Sequence, residues 1–254
     1  NLSVRNLGFS ADEVAFRPRS LNFGPPDQHL THSKADVIFA FFGFNESFAG
    51  EEGLPKFEAD LRQFVKHTLE QKYNGESAPQ LVLFTPIPHE NLNNPNLPDG
   101  SANNANITLY SQAIKRIAAE HNVPFVDLFT PTQQVMLQEK QPLTFNGIHL
   151  TDTGYDKLAP VFFEATFGRK PKNANPDSQL YAAVKEKDYQ WFNRYRAVNG
   201  YYIYGARNKV WDNERVMENE RAKLDEMVAL GDQRIWDIAQ GKDLPPIPAY
   251  SGTR

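Results

Sequence analysis

The chain has 254 residues, 40% of them apolar and 12% aromatic, which is enough to bury a sizeable core. Lysine and arginine total 27 against 31 acidic residues, and this net charge of −4 argues against a nucleic-acid partner or an anionic membrane surface. The longest apolar run, 37–42, is too short to span a bilayer, and the lack of cysteine excludes disulfides, thiolate metal sites and cysteine nucleophiles.

Strand-like and helix-like segments alternate along the first two thirds of the chain. Four short strands are predicted: 2–5, 37–42, 80–84 and 125–127. The second is almost continuously apolar, which is typical of a central parallel strand buried on both faces. Apolar residues at helical spacing predict three helices, at 54–69, 107–118 and 152–163. This alternation predicts a three-layer α/β/α sandwich around a parallel sheet.

The chain is predicted to contain a core, an extension and a tail. Two long loops lie within the core, 17–34 and 86–103, and loops of this length are more often functional or mobile than idle. A charged segment with two prolines follows the last core helix. We therefore predict a core over residues 1–170, a helical C-terminal extension over 171–242, and a Pro-rich tail or linker over 243–254.

Three polar segments stand next to the predicted strands and the last core helix. They are Asn-Leu-Gly-Phe-Ser-Ala-Asp at 6–12, Gly-Phe-Asn-Glu-Ser at 43–47, and Asn-Gly-Ile-His-Leu-Thr-Asp-Thr-Gly-Tyr at 146–155. Ligands of open parallel sheets bind beyond the carboxyl ends of the strands. The first two segments fall at such ends, and the third can reach the same rim. We therefore expect all three to contribute to one site.

In their order and spacing these segments resemble the second, third and fifth sequence blocks of the SGNH, or GDSL-like, hydrolases. The resemblance covers residues 2–167, and the third segment is its most specific part. It implies a flavodoxin-like parallel sheet whose first strand, with the Gly-Asp-Ser nucleophile, would precede residue 2. We therefore expect a chain cut at its N-terminus, with the nucleophilic serine not in the chain.

The resemblance assigns roles to four residues. His149 corresponds to the general base, a role that suits an imidazole because its pKa lies near working pH. Asn45 corresponds to a side-chain oxyanion donor, and Ala11 stands where the family usually has a glycine whose backbone N–H is a second donor. Asn146 replaces the aspartate that usually orients the histidine. An asparagine can accept a hydrogen bond from the ring N–H, but it cannot stabilise imidazolium by charge.

Several alternatives stay open at this point. Glu46 and Asp152 are the nearest carboxylates that could orient the histidine instead of Asn146. Ser10 lies in a sequence that loosely resembles the G-x-S-x-G nucleophile elbow of another hydrolase fold. A metal hypothesis would rest on three loop histidines that lack a recognised ligand spacing, whereas the family's chemistry needs no metal or cofactor: His29, His32 and His89.

The leading functional hypothesis is a serine esterase that hydrolyses a small-molecule or carbohydrate ester through an acyl-enzyme. The Asn-rich segment 91–106 favours a sugar acetyl ester. The rival is a non-catalytic SGNH-like carbohydrate-binding module, in which Asn146 marks a decayed triad. A purely structural domain of a larger protein is the third interpretation.

The extension resembles segments that follow SGNH domains in large exported bacterial proteins. This resemblance implies an extracytoplasmic setting, periplasmic or secreted, and further domains in the full-length chain. Some of those proteins continue into haem-binding modules, but no Cys-x-x-Cys-His lies in this sequence. Aromatic residues of the extension are interpreted as packing residues, with a sugar-stacking platform as the alternative: Trp191, Tyr201, Tyr202, Tyr204 and Trp211.

Overall fold

The computed structural model describes residues 2–19, 23–172, 178–196, 210–211, 214–242 and 244. These residues form two compact units. The larger unit contains residues 9–19 and 24–172, and the smaller unit contains residues 2–8, 23 and the described residues from 178 onward. In the described part of the chain no helix is both long enough and apolar enough to cross a membrane.

The larger unit is built on a parallel sheet with helices on both faces. Its elements in chain order are α1 (Pro26–His32), β1 (Val37–Phe41), α2 (Gly50–Glu70), β2 (Gln80–Phe84), α3 (Ser101–Glu120), β3 (Phe125–Val126), α4 (Phe129–Gln138) and α5 (Asp152–Phe167). The strand order is β1-β2-β3, with Val37 opposite Gln80 and Leu83 opposite Phe125. Three of the four predicted strands and all three predicted helices are confirmed, although α1 and the start of α3 lie in segments predicted as loops.

Alternate residues of β2 pack into two separate layers. Leu81 and Leu83 lie in the main core, together with buried residues from α2 and α3: Phe57, Leu61, Val65, Tyr110, Ile114 and Ile117. On the opposite face Phe84 packs with Phe162 of α5. Burial on both faces is typical of parallel sheets. The predicted three-layer α/β/α fold is thereby confirmed.

The prediction that β1 is buried on both faces is wrong. Ala40 is buried in the main core, whereas Val37, Phe39 and Phe41 are 49%, 46% and 53% exposed. One edge of β1 pairs with β2, and no strand among the described residues pairs with the other edge. The apolar run was correctly predicted as a strand, but three of its five side chains are exposed in the described part of the chain.

The smaller unit contains two packed helices, α6 (Ser178–Tyr195) and α7 (Val216–Ala239). A short antiparallel pair, β4 (Val210–Trp211) with β5 (Glu214–Arg215), also belongs to it. The predicted limits at 170 and 242 stay predictions. The predicted tail, 243–254, lies outside the described residues apart from position 244.

The predicted strand at 2–5 is wrong, because this segment has no regular secondary structure. Its carbonyl groups accept hydrogen bonds from helix side chains of the smaller unit instead of a neighbouring strand. Trp236 Nε1 donates to Leu2 O at 2.8 Å, and Lys187 Nζ donates to Val4 O at 2.9 Å. Side-chain donors therefore satisfy a backbone that the sequence pattern assigned to a sheet.

Trp191 is the residue of the predicted aromatic patch whose side chain the structure describes. It is buried, its indole N–H donates to Asn6 O at 2.8 Å, and its ring stacks on Tyr195. A ring in this position packs the smaller unit and offers no exposed face to a sugar. The other patch residues lie outside the described residues or outside the described side chains.

Candidate active site

Ala11 and Asn45 belong to two segments that meet in the larger unit. Ala11 lies in a turn with a left-handed φ of +64°. The next residue, Asp12, accepts a hydrogen bond through its carbonyl from Asn45 Nδ2 at 2.9 Å. An amide nitrogen carries two hydrogens, so this bond leaves the second hydrogen of Asn45 for another acceptor. The structure thus brings together the two segments that carry the predicted oxyanion donors.

The turn after β1 places Asn45. Gly43 has a φ of +101°, and a Cβ atom there would lie 3.2 Å from Ile114 Cδ1, so glycine fits where a larger residue would crowd the core. Glu46 then joins the two segments, because Oε2 accepts the Gly43 N–H at 2.9 Å and Oε1 accepts the Val14 N–H at 2.8 Å. The sequence alone did not indicate that Glu46 connects the two segments.

The hypothesis that Glu46 orients His149 gains no support, because its oxygens accept these backbone N–H groups and no hydrogen bond joins it to His149 within the described residues. Burial raises the pKa of the Glu46 carboxyl, while the backbone N–H groups of Val14 and Gly43 act in the opposite direction. Asp152, the other carboxylate considered, begins α5, and no hydrogen bond joins its side chain to His149 within the described residues.

The positive φ of Ala11 predicts a stability change. A left-handed conformation costs an L-residue about 1–2 kcal/mol, and glycine avoids this cost at about 0.5–1 kcal/mol of extra unfolded-state entropy. We expect Ala11→Gly to raise the free energy of unfolding, by up to about 1 kcal/mol, in urea titrations. The control is Ala15→Gly in the same segment, where no positive φ is relieved and stability should fall. Equal losses in both variants would contradict the turn geometry.

Asn146 and His149 are joined in a tight turn before α5. Asn146 Oδ1 accepts the backbone N–H groups of His149 at 2.9 Å and Ile148 at 3.2 Å. The same amide lies against the imidazole, with Oδ1 at 3.1 Å and Nδ2 at 3.0 Å from His149 Nδ1. The turn therefore holds the predicted base and the predicted orienting residue in contact.

The chemistry of this pair depends on which amide atom faces the ring. If Oδ1 accepts a proton from Nδ1, Nε2 is left unprotonated and can act as a base. If Nδ2 donates to Nδ1, the proton must sit on Nε2 and that nitrogen cannot act as a base. An asparagine permits both arrangements, whereas an aspartate accepts only. The pair is competent for base catalysis in the first arrangement.

An aromatic ring covers one face of the imidazole. Phe145 stacks on His149 with ring centroids 5.5 Å apart and an angle of 17° between the planes. Phe145 is 65% exposed, and the ring of His149 is exposed as well. The imidazole is therefore open to solvent and to a ligand while one of its faces is held by the neighbouring ring.

The alternative nucleophile and the metal hypothesis gain no structural support. Ser10 lies in an exposed turn, and residues 2–19 contain neither the strand before it nor the helix after it that a nucleophile elbow requires. His29 and His32 lie in α1, and His89 lies in the loop after β2. Within the described residues no group of three or more His, Asp or Glu side chains could hold a metal ion.

A sequence comparison decides the family. The model of the GDSL-like lipase/acylhydrolase family matches residues 1–157 of the 254 residues. The chain belongs to the GDSL-like lipase/acylhydrolase family. The resemblance inferred from the three polar segments is thereby confirmed.

The similarity of this chain to solved structures is weaker than its match to the family. A catalytic mutant of an acetylxylan esterase from Geobacillus stearothermophilus is 22% identical over 54% of this chain and 61% of that chain, with a TM-score of 0.41. The unmutated enzyme is 21% identical over 56% and 65%, with a TM-score of 0.41. An alpha/beta hydrolase from the metagenome of Lake Arreo, Spain, is 22% identical over 53% and 61%, with a TM-score of 0.40.

The match spans less than two thirds of the first of those chains, at 61% of its length. No curated protein sequence matches this chain. The family assignment therefore rests on the sequence match over residues 1–157.

Proposed function

We propose that the full-length protein is a serine esterase that hydrolyses carboxylic esters, with acetylated carbohydrates as the substrate class, through an acyl-enzyme. The observation that carries the proposal is the contact between Asn146 and the His149 imidazole in the larger unit. This unit also holds Asn45 against the turn of Ala11. Family membership supports the reaction class.

In the proposed reaction a serine hydroxyl attacks the ester carbonyl while His149 Nε2 takes its proton. The tetrahedral oxyanion accepts hydrogen bonds from the Ala11 N–H and from Asn45 Nδ2. Collapse breaks the bond to the alcohol, which leaves with the proton from His149. Water then attacks the acyl-enzyme, again giving its proton to Nε2, and releases the acid and the serine.

The nucleophilic serine is proposed to lie upstream of this sequence, on a strand that pairs with the free edge of β1. Two features of β1 support such a strand. Its backbone groups on that edge have no strand partner among the described residues, and Val37, Phe39 and Phe41 are exposed on one face. A parallel strand added there would end at the same rim of the sheet as Asn45, which follows β1.

A polar alcohol is favoured by the loop between β2 and α3. Its side chains Asn91, Asn93, Asn94 and Asn96 are exposed. The start of the loop is hydrogen-bonded to the catalytic turn, residues 143–149, because the Glu90 N–H donates to Gly147 O at 2.8 Å. The amide-rich loop therefore begins beside His149's turn, where its side chains can donate to and accept from sugar hydroxyls.

The proposal is tested by pre-steady-state hydrolysis of 4-nitrophenyl acetate by the full-length protein. An acyl-enzyme predicts a burst of one equivalent of 4-nitrophenol followed by slower turnover, and release of acetate from acetylated xylo-oligosaccharides. If the full-length protein hydrolyses neither ester, the proposal is refuted. Saccharide binding without hydrolysis would instead establish the rival binding module. The extracytoplasmic setting stays a prediction.

Replacing Asn146 by aspartate is expected to raise kcat. The carboxylate keeps an acceptor for the backbone N–H groups, permits only the Nδ1–H form of His149, and stabilises imidazolium by charge. The reverse change, from aspartate to asparagine, lowers kcat about 10⁴-fold in a serine protease triad. We therefore expect kcat to rise at least about tenfold in Asn146→Asp. Steady-state kinetics of the full-length variant measure it.

The matched control is Asn122→Asp, the same substitution just after the C-terminal end of α3. Asn122 has a φ of +53°, a conformation that aspartate also tolerates, so kcat should not change. A kcat that falls or stays constant in Asn146→Asp would show that Asn146 does not act as the orienting residue.

A further inference from the structure

We infer that Glu90 is a positioning residue, whose buried carboxylate holds the turn of Asn146 and His149 in the geometry that catalysis needs. The inference rests on the proposed function and adds a residue that lies outside the three polar segments 6–12, 43–47 and 146–155. Glu90 lies in the long loop between β2 and α3, 53 positions before the first residue that it binds.

Both oxygens of Glu90 are bonded to the start of the catalytic turn. Oε1 accepts the Leu143 N–H at 2.9 Å. Oε2 accepts the Thr144 N–H at 2.7 Å and the Thr144 hydroxyl at 2.6 Å. Glu90 is 9% exposed, while Leu143 and Thr144 are buried. A buried carboxylate that accepts three hydrogen bonds holds its partners far more firmly than an exposed side chain would.

The same residue also binds the far side of the turn. The Glu90 N–H donates to Gly147 O at 2.8 Å, and the Gly147 N–H donates to the Thr144 hydroxyl oxygen at 3.0 Å. Asn146 thus lies between two points that Glu90 fixes. No ion pair joins Glu90 to a cation among the described residues, so the hydrogen-bonding capacity of its carboxylate serves this turn.

Glu90 is itself anchored to α3 through its neighbour. Asn104, in the first turn of α3, accepts the His89 N–H through Oδ1 and donates to the His89 carbonyl through Nδ2, both at 2.8 Å. The ring of His89 is buried against Gly147, where an added Cβ would lie 2.5 Å from Nε2. Gly147 also has a φ of +87°. The carboxylate is therefore held by a helix of the core and not by a free loop.

Glutamine at position 90 would break this arrangement without changing its size. The amide has one oxygen and one NH2 group, so its NH2 group must face the N–H of either Leu143 or Thr144. Two donors that face each other repel, and one side of the turn opens. Asn146 would then move relative to His149 Nδ1, and the fraction of His149 that carries its proton on Nδ1 would fall.

The test uses the full-length protein, its Glu90→Gln variant and the control Glu139→Gln. Glu139 pairs with Lys157 at 2.7 Å on the surface, so the control removes one carboxylate of the same unit without touching the turn. The ¹⁵N shifts of His149, assigned by comparison with His149→Ala, report the tautomer. Wild type and control should show the same fraction of the Nδ1-protonated tautomer, and Glu90→Gln should show a smaller fraction.

Kinetics give a second, independent measurement. We expect kcat of Glu90→Gln to fall about 10–100-fold at nearly constant KM, as for a misplacement of catalytic groups by about 1 Å. If Glu90→Gln only lowers the melting temperature, leaving the His149 tautomer and kcat unchanged, the inference is overturned. If wild type hydrolyses no ester, the proposed function fails, and the NMR spectra still decide the role of Glu90.

A pair of variants at Thr144 serves if Glu90→Gln does not fold. Thr144→Ser keeps the hydroxyl that joins Glu90 to Gly147, and Thr144→Val removes it at nearly constant volume. We expect the smaller fraction of Nδ1-protonated His149 and the loss of kcat in the valine variant alone. Identical His149 spectra and kcat in both variants would overturn the inference.

Discussion

Replacing His149 by alanine in the full-length protein is expected to lower ester hydrolysis by about 10³-fold or more. The proposed reaction moves the serine proton onto Nε2 and later gives it to the alcohol, and alanine can do neither. The fold should survive, because the backbone of residue 149 makes the contacts of the turn: its N–H donates to Asn146 Oδ1 and its carbonyl accepts the Phe145 N–H at 3.0 Å.

The matched control for this variant is His67→Ala. His67 lies in the last turn of α2 and is half exposed, and its imidazole pairs with Asp27 at 2.8 Å. It belongs to no part of the candidate site, so kcat/KM for acetyl esters should be the same as in wild type. If both His149→Ala and His67→Ala hydrolyse the ester at the wild-type rate, His149 is not the base and the site assignment is refuted.

Replacing Asn45 by alanine is expected to lower kcat by about 10²–10³-fold with a small change in KM, as expected for the loss of one oxyanion donor. The second hydrogen of Nδ2 would be used only when negative charge develops on the substrate oxygen. The effect should therefore fall on the transition state more than on substrate binding.

The loss of Asn45 also removes its bond to the Asp12 carbonyl, so stability must be measured alongside the rate. Glu46 keeps the two segments joined through Val14 and Gly43, and we expect the variant to stay folded. The control, Asn74→Ala, removes an amide that bonds Asp36 just before β1, at the amino end of the strands, and should leave kcat unchanged. A normal kcat in Asn45→Ala would exclude the oxyanion role.

The sequence predicts those parts of the structure that are determined by residues close together in the chain. The contact of Asn146 with His149 is made within one turn of four residues, so a contiguous motif is enough to find it. The helices α2, α3 and α5 follow from apolar residues at helical spacing, which records burial on one face. The order of the three polar segments likewise suffices to indicate the family.

The predictions from sequence fail where a residue's contacts are with residues far away in the sequence. Apolar residues at 2–5 resemble a strand, but their carbonyl acceptors are bonded by Lys187 and Trp236, more than 180 positions away. The apolar pattern of β1 predicts that a strand forms, but it does not show which elements pack against the strand's side chains. Glu90 is one acidic residue in a loop, and nothing nearby in the sequence connects it with Leu143.

The most direct test of the central claim is labelling of the full-length protein with a serine-directed phosphonate, followed by peptide mass spectrometry. Our account predicts one label per chain, on a serine upstream of residue 1 in a segment that pairs with β1, and much slower labelling in His149→Ala. A label on Ser10, or on a serine elsewhere in residues 1–254, would contradict it.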